Sequence, residues 1–336
     1  MEKLQAPQRK EWLDALRGLA MLLVVLLHNM PASPEKYIYV LISGPIKLPL
    51  FFAISGYVFN GRGGKQGAFF LNLLRKIVIP SLVLFLCLRA VFIPTRGFSY
   101  VTQGLLEFLS GETCWYITAC IFGEILFFYI LKFFKKDWHI CVAAGVCCLL
   151  GFVMAVFGIG NFAMINRAFI AQYFFALGYM FRRHEDCLKK LHWAVPLGAL
   201  LLCAGLIIGG YFLFPDRGID VHLNNYYGSL ETIPFSFLLI TLATLSLMIL
   251  GAKLGRISKL LSIAGRHTLI TYIFHGFFLS IGMRVLPHGD STGFLLFAKC
   301  LVLSCFSVAV CCLGGAILDR LFPELMGRKR KKKEKI

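Results

Sequence analysis

The stretch DALRGLAMLLVVLLHNM, residues 14–30, decides the fold and raises the first question about function. Its apolar run is long enough to cross a bilayer, yet it carries Arg17 near one end and His28 near the other. The two residues are eleven positions apart, about three helical turns, which places both side chains on one stripe roughly 16 Å apart along the axis. We therefore predict a membrane helix with a functional polar stripe.

The composition indicates a polytopic membrane protein. Of 336 residues, 58% are hydrophobic and 15% are charged, and 32 are Phe, more apolar material than one soluble core buries. We predict an all-α chain with about ten transmembrane helices. The predicted spans are 12–30, 44–60, 77–93, 115–131, 140–158, 168–181, 193–214, 233–250, 267–286 and 294–318.

Basic residues alternate between the connections, which predicts cytoplasmic N- and C-termini. We predict a membrane domain over residues 1–320 and a basic cytoplasmic tail over 321–336. The formal charge of +18 therefore follows from topology, and the sequence predicts no nucleic-acid partner. The basic groups are Lys3/Arg9/Lys10, Arg62/Lys65/Arg75/Lys76, Lys132/Lys135/Lys136, Arg182/Arg183/Lys189/Lys190, Lys253/Arg256/Lys259/Arg266 and RKRKKKEK at 328–335.

Several function classes are not supported by motifs. The twelve cysteines include seven within apolar helices, where thiols behave as small hydrophobes, and no Cys/His spacing resembles a zinc site. Neither a phosphate-binding GxxxxGK[ST] loop nor a dinucleotide-binding GxGxxG motif is present. The longest connections, 93–114 and 214–233, are too short for a soluble catalytic domain. We predict chemistry inside the membrane domain without a metal or cofactor.

Ionisable residues within spans are candidate site residues because their burial in lipid is costly. Asp14 lies three residues before Arg17, so the two can pair on one helix face, and such a pair can equally serve only as an interfacial anchor. His28, taken alone, fits an interfacial histidine bonded to a loop carbonyl.

Two further ionisable residues lie deeper in their spans. Glu124 follows Trp115, a candidate substrate-binding residue, by nine residues and has apolar neighbours on both sides. His275 lies about eight residues into the ninth span, with Tyr272 on the same face as a hydrogen-bond partner. Together with Arg17 and His28 these residues can supply anion binding, a base and a proton relay. Structural hydrogen bonding between helices is the alternative for Glu124 and His275.

The second and third spans supply candidate substrate-binding residues. GPIKLPLFFAISGYVF, residues 44–59, contains helix-breaking residues, and Ser55 and Tyr57 bring hydroxyls to the cavity that a broken helix can line. Arg75 and Lys76 form a basic mouth at the third span, just before Pro80. Such a mouth suits a phosphorylated ligand, and the preference of basic residues for cytoplasmic loops explains it equally well.

These stretches together resemble the acyltransferase-3 family of integral-membrane O-acyltransferases, including its fucose 4-O-acetylase-like members. LDALRGLAMLLVVLLHN is similar to the first helix of that family, with Arg17 and His28 as its characteristic pair. PLFFAISGY, LLRKIVIP, WYITACIFGE and HTLITYIFHGFF resemble its second, third, fourth and late helices, so the resemblance covers most of the chain. Lys47 departs from it, standing where related members often carry histidine.

The resemblance implies transfer of an acyl group, usually acetyl from cytosolic acetyl-CoA, to a hydroxyl of a cell-envelope glycan or lipid-linked sugar. Arg17 would hold an anionic part of the donor and His28 would act as general base, while an acyl-histidine intermediate stays open. Between them Ala20, Met21 and Val24 would leave an apolar slot.

The expected setting is a bacterial cytoplasmic membrane, with membrane lipids as neighbours and a homo-oligomer left open. A non-catalytic proton-coupled transporter of an acylated metabolite, using Glu124 and His275, is the alternative function.

Overall fold

The structure, a computed structural model, describes residues 9–61, 66–213 and 233–327. Within them the chain is all α-helical, as predicted, apart from connections and short 3₁₀ and π turns. The helices are α1 Glu11–Asn29, α2 Pro34–Ser43, α3 Leu48–Val58, α4 Gln66–Leu73, α5 Ile79–Ala90, α6 Ile93–Arg96, α7 Ser99–Ser110, α8 Trp115–Phe133, α9 Asp137–Val156, α10 Ile165–Arg183, α11 Glu185–Lys189, α12 Ala194–Leu213, α13 Ile233–Leu254, α14 Lys259–Arg266, α15 Thr268–Val285 and α16 Gly293–Leu321.

Seven helical stretches in the described residues are long and apolar enough to cross a membrane. The protein is therefore a multi-pass integral membrane protein, in which helices satisfy every backbone polar group internally. Helices α1, α10 and α12 coincide with the other three predicted spans, and the total number of spans stays a prediction. The seven stretches are Pro34–Val58, Gln66–Ala90, Ser99–Phe133, Asp137–Val156, Ile233–Leu254, Thr268–Val285 and Gly293–Leu321.

Two local predictions are wrong. The connection predicted at 93–114 is largely helical, because α6 and α7 fill it and a partly buried ion pair between Arg89 and Glu107 ties α7 to α5. The sixth span, predicted over only 168–181, is longer: α10 runs from Ile165 to Arg183 and packs against α3, α8 and α9. Because protein rather than lipid surrounds α10, it can hold polar residues such as Gln172, and this lowers its hydropathy in the sequence.

Glycine pairs allow the central helices to approach closely. A Cβ atom on Gly56 would lie 2.0 Å from the carbonyl oxygen of Phe175, and one on Gly178 would lie 1.7 Å from that of Ala53, so α3 and α10 cross in near backbone contact. Small residues at helix interfaces are the usual route to tight packing in membranes. This crossing explains why Gly56 follows Ser55 in the second-helix motif.

The bundle has two ends that the contacts define. At one, which we call the basic end, α1 begins beside Arg256, which pairs with Glu11 at 3.0 Å. At the other, the far end, the ring Nε2 of His288 hydrogen-bonds the carbonyl oxygen of Asn29 at 2.9 Å. Arg17 therefore lies toward the basic end and His28 at the far end. The predicted basic residues Lys3, Arg62, Lys65 and 328–335 and the connection 214–232 lie outside the described residues.

Candidate active site

A cavity of about 430 Å³ opens at the basic end, where α1 and α3 meet the end of α10. Arg17 lines it one turn inside the bundle, together with Asp14 and Tyr57, so the structure brings together three residues that the sequence predicted. Four of its lining residues are cationic, against two carboxylates. The cavity is lined by Arg9, Lys10, Leu13, Asp14, Arg17, Tyr57, Val58, Arg182 and Glu185.

The predicted ion pair between Asp14 and Arg17 is wrong. The Asp14 carboxylate lies 2.6 Å from Nε of Arg9 and 3.7 Å from Nε of Arg266, because α14 packs its C-terminal end against this face of α1. Among the described residues no carboxylate lies within 4.0 Å of the Arg17 guanidinium, although the charges of Asp14 and Glu124 act on it. Arg17 is therefore available to an external anion.

The Tyr57 hydroxyl is held in an ionic cluster rather than left open to a ligand. It donates to Glu185 and accepts from Nζ of Lys10 at 2.7 Å, while Lys189 reaches the same carboxylate at 2.6 Å. Burial acts to raise the pKa of Glu185, but the hydrogen bonds from Lys10, Lys189 and Tyr57 outweigh it, and the net pKa lies below its ordinary value. Glu185 is thus an anion that fixes the wall of the cavity.

Arg182 is a cavity residue that the sequence did not single out. Its Nη1 donates to the carbonyl oxygen of Phe59 at 2.8 Å, and its guanidinium lies 5.3 Å from the ring centre of Tyr179. No carboxylate lies within 4.0 Å of it among the described residues. Its neighbour Arg183 points elsewhere and pairs with Asp137. The pair of arginines is indistinguishable in the sequence, where both fit the charge pattern of a cytoplasmic loop.

A second cavity, of about 320 Å³, adjoins the first at Val58 and contains Ser55, Lys76 and Glu124. The charges of Arg17 and Lys76 act on the Glu124 carboxylate, and no described cation forms an ion pair with it within 4.0 Å. Arg75, predicted to act with Lys76, is exposed and does not line this cavity.

A π turn over Leu74–Val78 contains both Arg75 and Lys76, of which only Lys76 lines the second cavity. Pro80 has no N–H to return to the carbonyl of Lys76, and the N–H of Ile79 bonds instead to the carbonyl of Leu74. The Ser81 hydroxyl then donates to the carbonyl oxygens of Ile77 and Val78, at 2.6 and 3.0 Å. This local unwinding is a feature common at functional sites.

His28 and His275 meet at the far end of the polar stripe, with ring centres 5.1 Å apart. The Nδ1 atom of His275 contacts the carbonyl oxygens of Thr271 and Tyr272 at 3.0 and 2.9 Å. Carbonyls only accept, so Nδ1 carries the proton and Nε2 of the neutral ring is an acceptor. The predicted partner Tyr272 therefore acts through its main chain, not its hydroxyl. The imidazole of His28 is exposed and makes no hydrogen bond to a described residue.

A row of rings leads from Arg17 toward this pair. The Tyr116 ring, on which the Arg17 charge acts, lies 5.7 Å from that of Tyr272, and Tyr272 lies 6.5 Å from His275. The backbone N–H of Tyr116 also donates to the Tyr272 hydroxyl at 3.3 Å. Trp115, a predicted substrate residue, instead stacks under Arg167, whose guanidinium lies 4.4 Å from its ring centre.

The predicted apolar slot along α1 is wrong. Ala20, Met21 and Val24 are at most 7% exposed and belong to the main core, because neighbouring helices cover that face of α1. Tyr116 and Tyr272 are both partly exposed. The side-chain contacts that lead from Arg17 toward His275 therefore run through the rings of α8 and α15 rather than along α1.

Lys47, the departure from the family pattern, is a buried lysine. Its side chain is 1% exposed, Nζ donates to the Ser43 hydroxyl at 3.0 Å, and the ammonium lies 5.2 Å from the ring centre of Tyr39. Its charge acts on His28. In the described residues no three His, Cys, Asp or Glu side chains form a metal-binding group.

The fold and site define a membrane protein with a cationic cavity at one end of a polar stripe and paired imidazoles at the other. Residues 10–315 match the acyltransferase domain that defines the acyltransferase 3 family. The chain therefore belongs to this family of membrane acyltransferases. The resemblance read from the motifs is confirmed. Comparisons with curated proteins and with solved structures find no match.

Proposed function

We propose that the protein transfers an acetyl group from cytosolic acetyl-CoA to a hydroxyl of a cell-envelope glycan or glycolipid. One observation carries the proposal: His28 and His275 lie 5.1 Å apart at one end of a stripe whose other end, Arg17, opens into a cationic cavity. In this proposal the basic end faces the cytoplasm of a bacterial cell, and the far end meets the acceptor.

Charge complementarity supports an acyl-CoA donor at the basic end. Arg17 and Arg182 have no carboxylate within 4.0 Å among the described residues, and both line the first cavity. Guanidinium groups bind phosphates through paired hydrogen bonds, so these two arginines hold the phosphates of the donor. Lys76 adds a third cation in the adjoining cavity, where Glu124 balances it.

The histidine pair provides acid–base chemistry for ester formation. His28 takes the proton of the acceptor hydroxyl as its oxygen bonds to the thioester carbonyl carbon. The carbon–sulfur bond breaks, and the imidazolium of His28 returns the proton to the departing thiolate, which leaves as the thiol of CoA. Nε2 of His275 accepts a hydrogen bond from the imidazolium and stabilises it in the meantime. Acetyl-CoA and alcohol thus yield an acetyl ester and CoA.

The donor reaches the pair along the row of rings. Tyr116 and Tyr272 border this route, and their partial exposure contrasts with the closed stripe on α1. An extended donor suits the route because the anion site and the base are about 16 Å apart along α1. The transporter alternative would use Glu124 and His275 as a proton path, and membership in an acyltransferase family favours the enzyme.

The test replaces His28 with Asn in purified, reconstituted protein. We expect a loss of acetyl transfer of roughly 10²–10⁴-fold, the contribution of a positioned acid–base group. The measurement is transfer of labelled acetyl from acetyl-CoA to an envelope extract from cells lacking the gene. His139→Asn is the matched control and should keep wild-type transfer, because His139 contacts the Trp138 ring and lines neither cavity.

A double variant separates a catalytic pair from two independent structural histidines. If His28 and His275 act as one unit, His28→Asn/His275→Asn loses no more activity than His28→Asn alone. Multiplicative losses, or near-wild-type transfer by His28→Asn in a monodisperse protein, would remove this pair from the mechanism.

A further inference from the structure

One face of α16 contacts both of the helices that carry the histidine pair. Cys300, Ser304 and Ser307 are four and three residues apart, so they lie on one face of the helix, and all three are 0% exposed. Toward α1, the carbonyl oxygen of Cys300 and the Ser304 hydroxyl contact Asn29, and toward α15, the Ser307 hydroxyl contacts His275. A single helix therefore connects the two segments that carry the pair.

Asn29 anchors the last turn of α1, directly after His28. Its Nδ2 donates to the carbonyl oxygen of Cys300 at 2.8 Å and lies 3.5 Å from the Ser304 hydroxyl. Its own carbonyl lies at a helix end, where carbonyls lack partners within the helix, and accepts a hydrogen bond from Nε2 of His288 at 2.9 Å. Because the imidazole of His28 makes no hydrogen bond to a described residue, these contacts of the neighbouring residue set its position.

Ser307 fixes α15 at the level of His275. Its hydroxyl donates to the main-chain carbonyl oxygen of His275 at 3.1 Å. The two helices are also closely packed, since a Cβ atom on Gly282 of α15 would lie 2.8 Å from the side chain of Leu303. Sliding or turning of α15 along α16 would break the hydrogen bond. The level of His275 relative to the end of α1 is therefore set on α16.

The amide of Asn29 is an unfavourable choice for stability alone. Its Oδ1 is buried and has no hydrogen-bond partner among the described residues, and an unsatisfied buried acceptor destabilises a fold. A leucine of similar size would remove this acceptor. The Cys300 carbonyl would then keep the Ser304 hydroxyl, 2.7 Å away, as a donor. An amide at this position therefore favours a role beyond stability.

We propose that Asn29 and Ser307 are positioning residues, which act through α16 to hold the imidazoles of His28 and His275 at the separation that proton transfer needs. This inference rests on the proposed function and adds to it the residues that set the geometry of the pair. Neither side chain touches a substrate. Misplacing a reacting group by about 1 Å can lower a rate by roughly 10²-fold, so loosening either contact should lower kcat.

Asn29→Leu should lower kcat for acetyl transfer at least 10-fold and leave the KM for acetyl-CoA within twofold, because the donor site at Arg17 lies at the other end. Ser307→Ala should act in the same way. Ser262→Ala is the matched control and should keep kcat within twofold. The Ser262 hydroxyl donates to the carbonyl oxygen of Glu11 at 3.2 Å, so this variant removes the same kind of bond at the opposite end of α1.

The double variant His28→Asn/Asn29→Leu tests whether Asn29 acts through His28. It should lose no more activity than His28→Asn alone, because a positioning residue has no effect once the group that it positions is gone. Multiplicative losses would show a general structural effect and overturn the assignment. A wild-type kcat in a monodisperse Asn29→Leu protein would overturn it as well.

A copper probe measures the geometry of the pair without the reaction. Two imidazoles with ring centres 5.1 Å apart can both ligate one Cu²⁺ ion. In untagged wild-type protein, the EPR spectrum of bound Cu²⁺ should show coupling to the nitrogens of two imidazoles, and His28→Asn should lose this signature. Asn29→Leu and Ser307→Ala should weaken the affinity for Cu²⁺ at least 10-fold, whereas Ser262→Ala should not.

The kinetic and copper measurements separate this inference from the proposed function. If Asn29→Leu and Ser307→Ala weaken Cu²⁺ binding while the wild-type protein transfers no acetyl group, the proposed function fails and the positioning role stands. If the wild-type protein is active and both variants keep its kcat and its Cu²⁺ affinity, the positioning role alone fails.

Discussion

At the scale of single residues, Arg182 and Arg183 show how identical side chains acquire different roles. Arg183 is exposed and pairs with Asp137 at 2.5 Å, whereas Arg182 is half-buried, bonds a main-chain carbonyl and lines the cavity of Arg17. The Asp137 carboxylate neutralises the charge of Arg183. The main-chain carbonyl that Arg182 bonds carries no charge, so the positive charge of Arg182 remains available to a ligand. The buried ammonium group of Lys47 likewise has no described carboxylate within 4.0 Å and instead contacts the Ser43 hydroxyl and the Tyr39 ring.

Replacing Arg182 with Gln should raise the KM for acetyl-CoA by about 10-fold or more, since a hydrogen bond to a charged group contributes roughly 1.5–3 kcal/mol. The value of kcat should change little, because binding to the phosphates is equal in the ground and transition states. Steady-state kinetics with labelled acetyl-CoA measures both constants. Arg183→Gln removes the same charge one residue away and should keep KM within about twofold of wild type; a larger effect of Arg183→Gln would contradict the assignment.

At the scale of elements, departures from regular α-helix place the site residues. The π turn at Leu74–Val78 lies between α4 and α5, and Lys76 within it faces the cavity of Glu124. The crossing of α3 and α10 brings Tyr57 and Arg182 to one cavity, because Gly56 and Gly178 let the two backbones touch.

Lys76→Gln should lower kcat/KM for acetyl-CoA by roughly 10-fold, and Arg75→Gln should have a much smaller effect, because only Lys76 lines the cavity. Both variants remove one positive charge from the same turn, so any general effect on membrane insertion is shared. Equal losses in the two variants would indicate that the basic mouth acts only through its net charge.

Gly178→Ala should destabilise the bundle, because the new methyl group would overlap the carbonyl oxygen of Ala53. Overpacking of this kind costs roughly 1–3 kcal/mol. Gly145→Ala is the control, since a Cβ there meets nothing within 4 Å and alanine is the better helix former. Thermal unfolding in detergent should give a lower Tm for Gly178→Ala and an unchanged or higher Tm for Gly145→Ala; the same shift in both variants would contradict the crossing.

At the scale of the whole molecule, the proposed reaction predicts that the two ends of the bundle face different compartments. Contacts place the start of α1 with Arg256 and the end of α1 with His288, so the polar stripe runs from one end to the other. In the proposed reaction, a donor bound at Arg17 and an acceptor at His28 would approach from opposite sides, and the acetyl group would cross part of the membrane during transfer.

Reporter fusions test the orientation of this bundle. C-terminal fusions after Lys136, Lys190 and Gly255 should report the cytoplasm, because they follow basic connections. Fusions after Gly97, Gly158 and Pro287 should report the outside. A cytoplasmic signal after Gly97 or Pro287 would contradict ten spans with both termini inside.

Much of the candidate site could be predicted from the sequence, because an ionisable residue within an apolar run has few structural explanations. Arg17, His28, Glu124 and His275 were all identified in this way, and the structure joins His28 to His275. The sequence did not single out Arg182, because basic residues are also expected in cytoplasmic loops. The sequence shows that Arg17 is near Asp14 in the chain, but the folded chain places Arg9 and Arg266 within 4.0 Å of the Asp14 carboxylate. The predicted pairing of Asp14 with Arg17 is therefore wrong.

The sequence by itself determined that this protein is an α-helical membrane protein and that Arg17 and His28 share a stripe. Both follow from one-dimensional regularities, since a bilayer demands long apolar runs and a helix turns by a constant angle. Only the tertiary structure decided that His275 meets His28, that Met21 closes the α1 stripe and that Lys47 is buried. Periodicity locates a side chain on its own helix, whereas contacts between helices depend on how closely their backbones cross, which glycines such as Gly56 and Gly178 set through long-range packing.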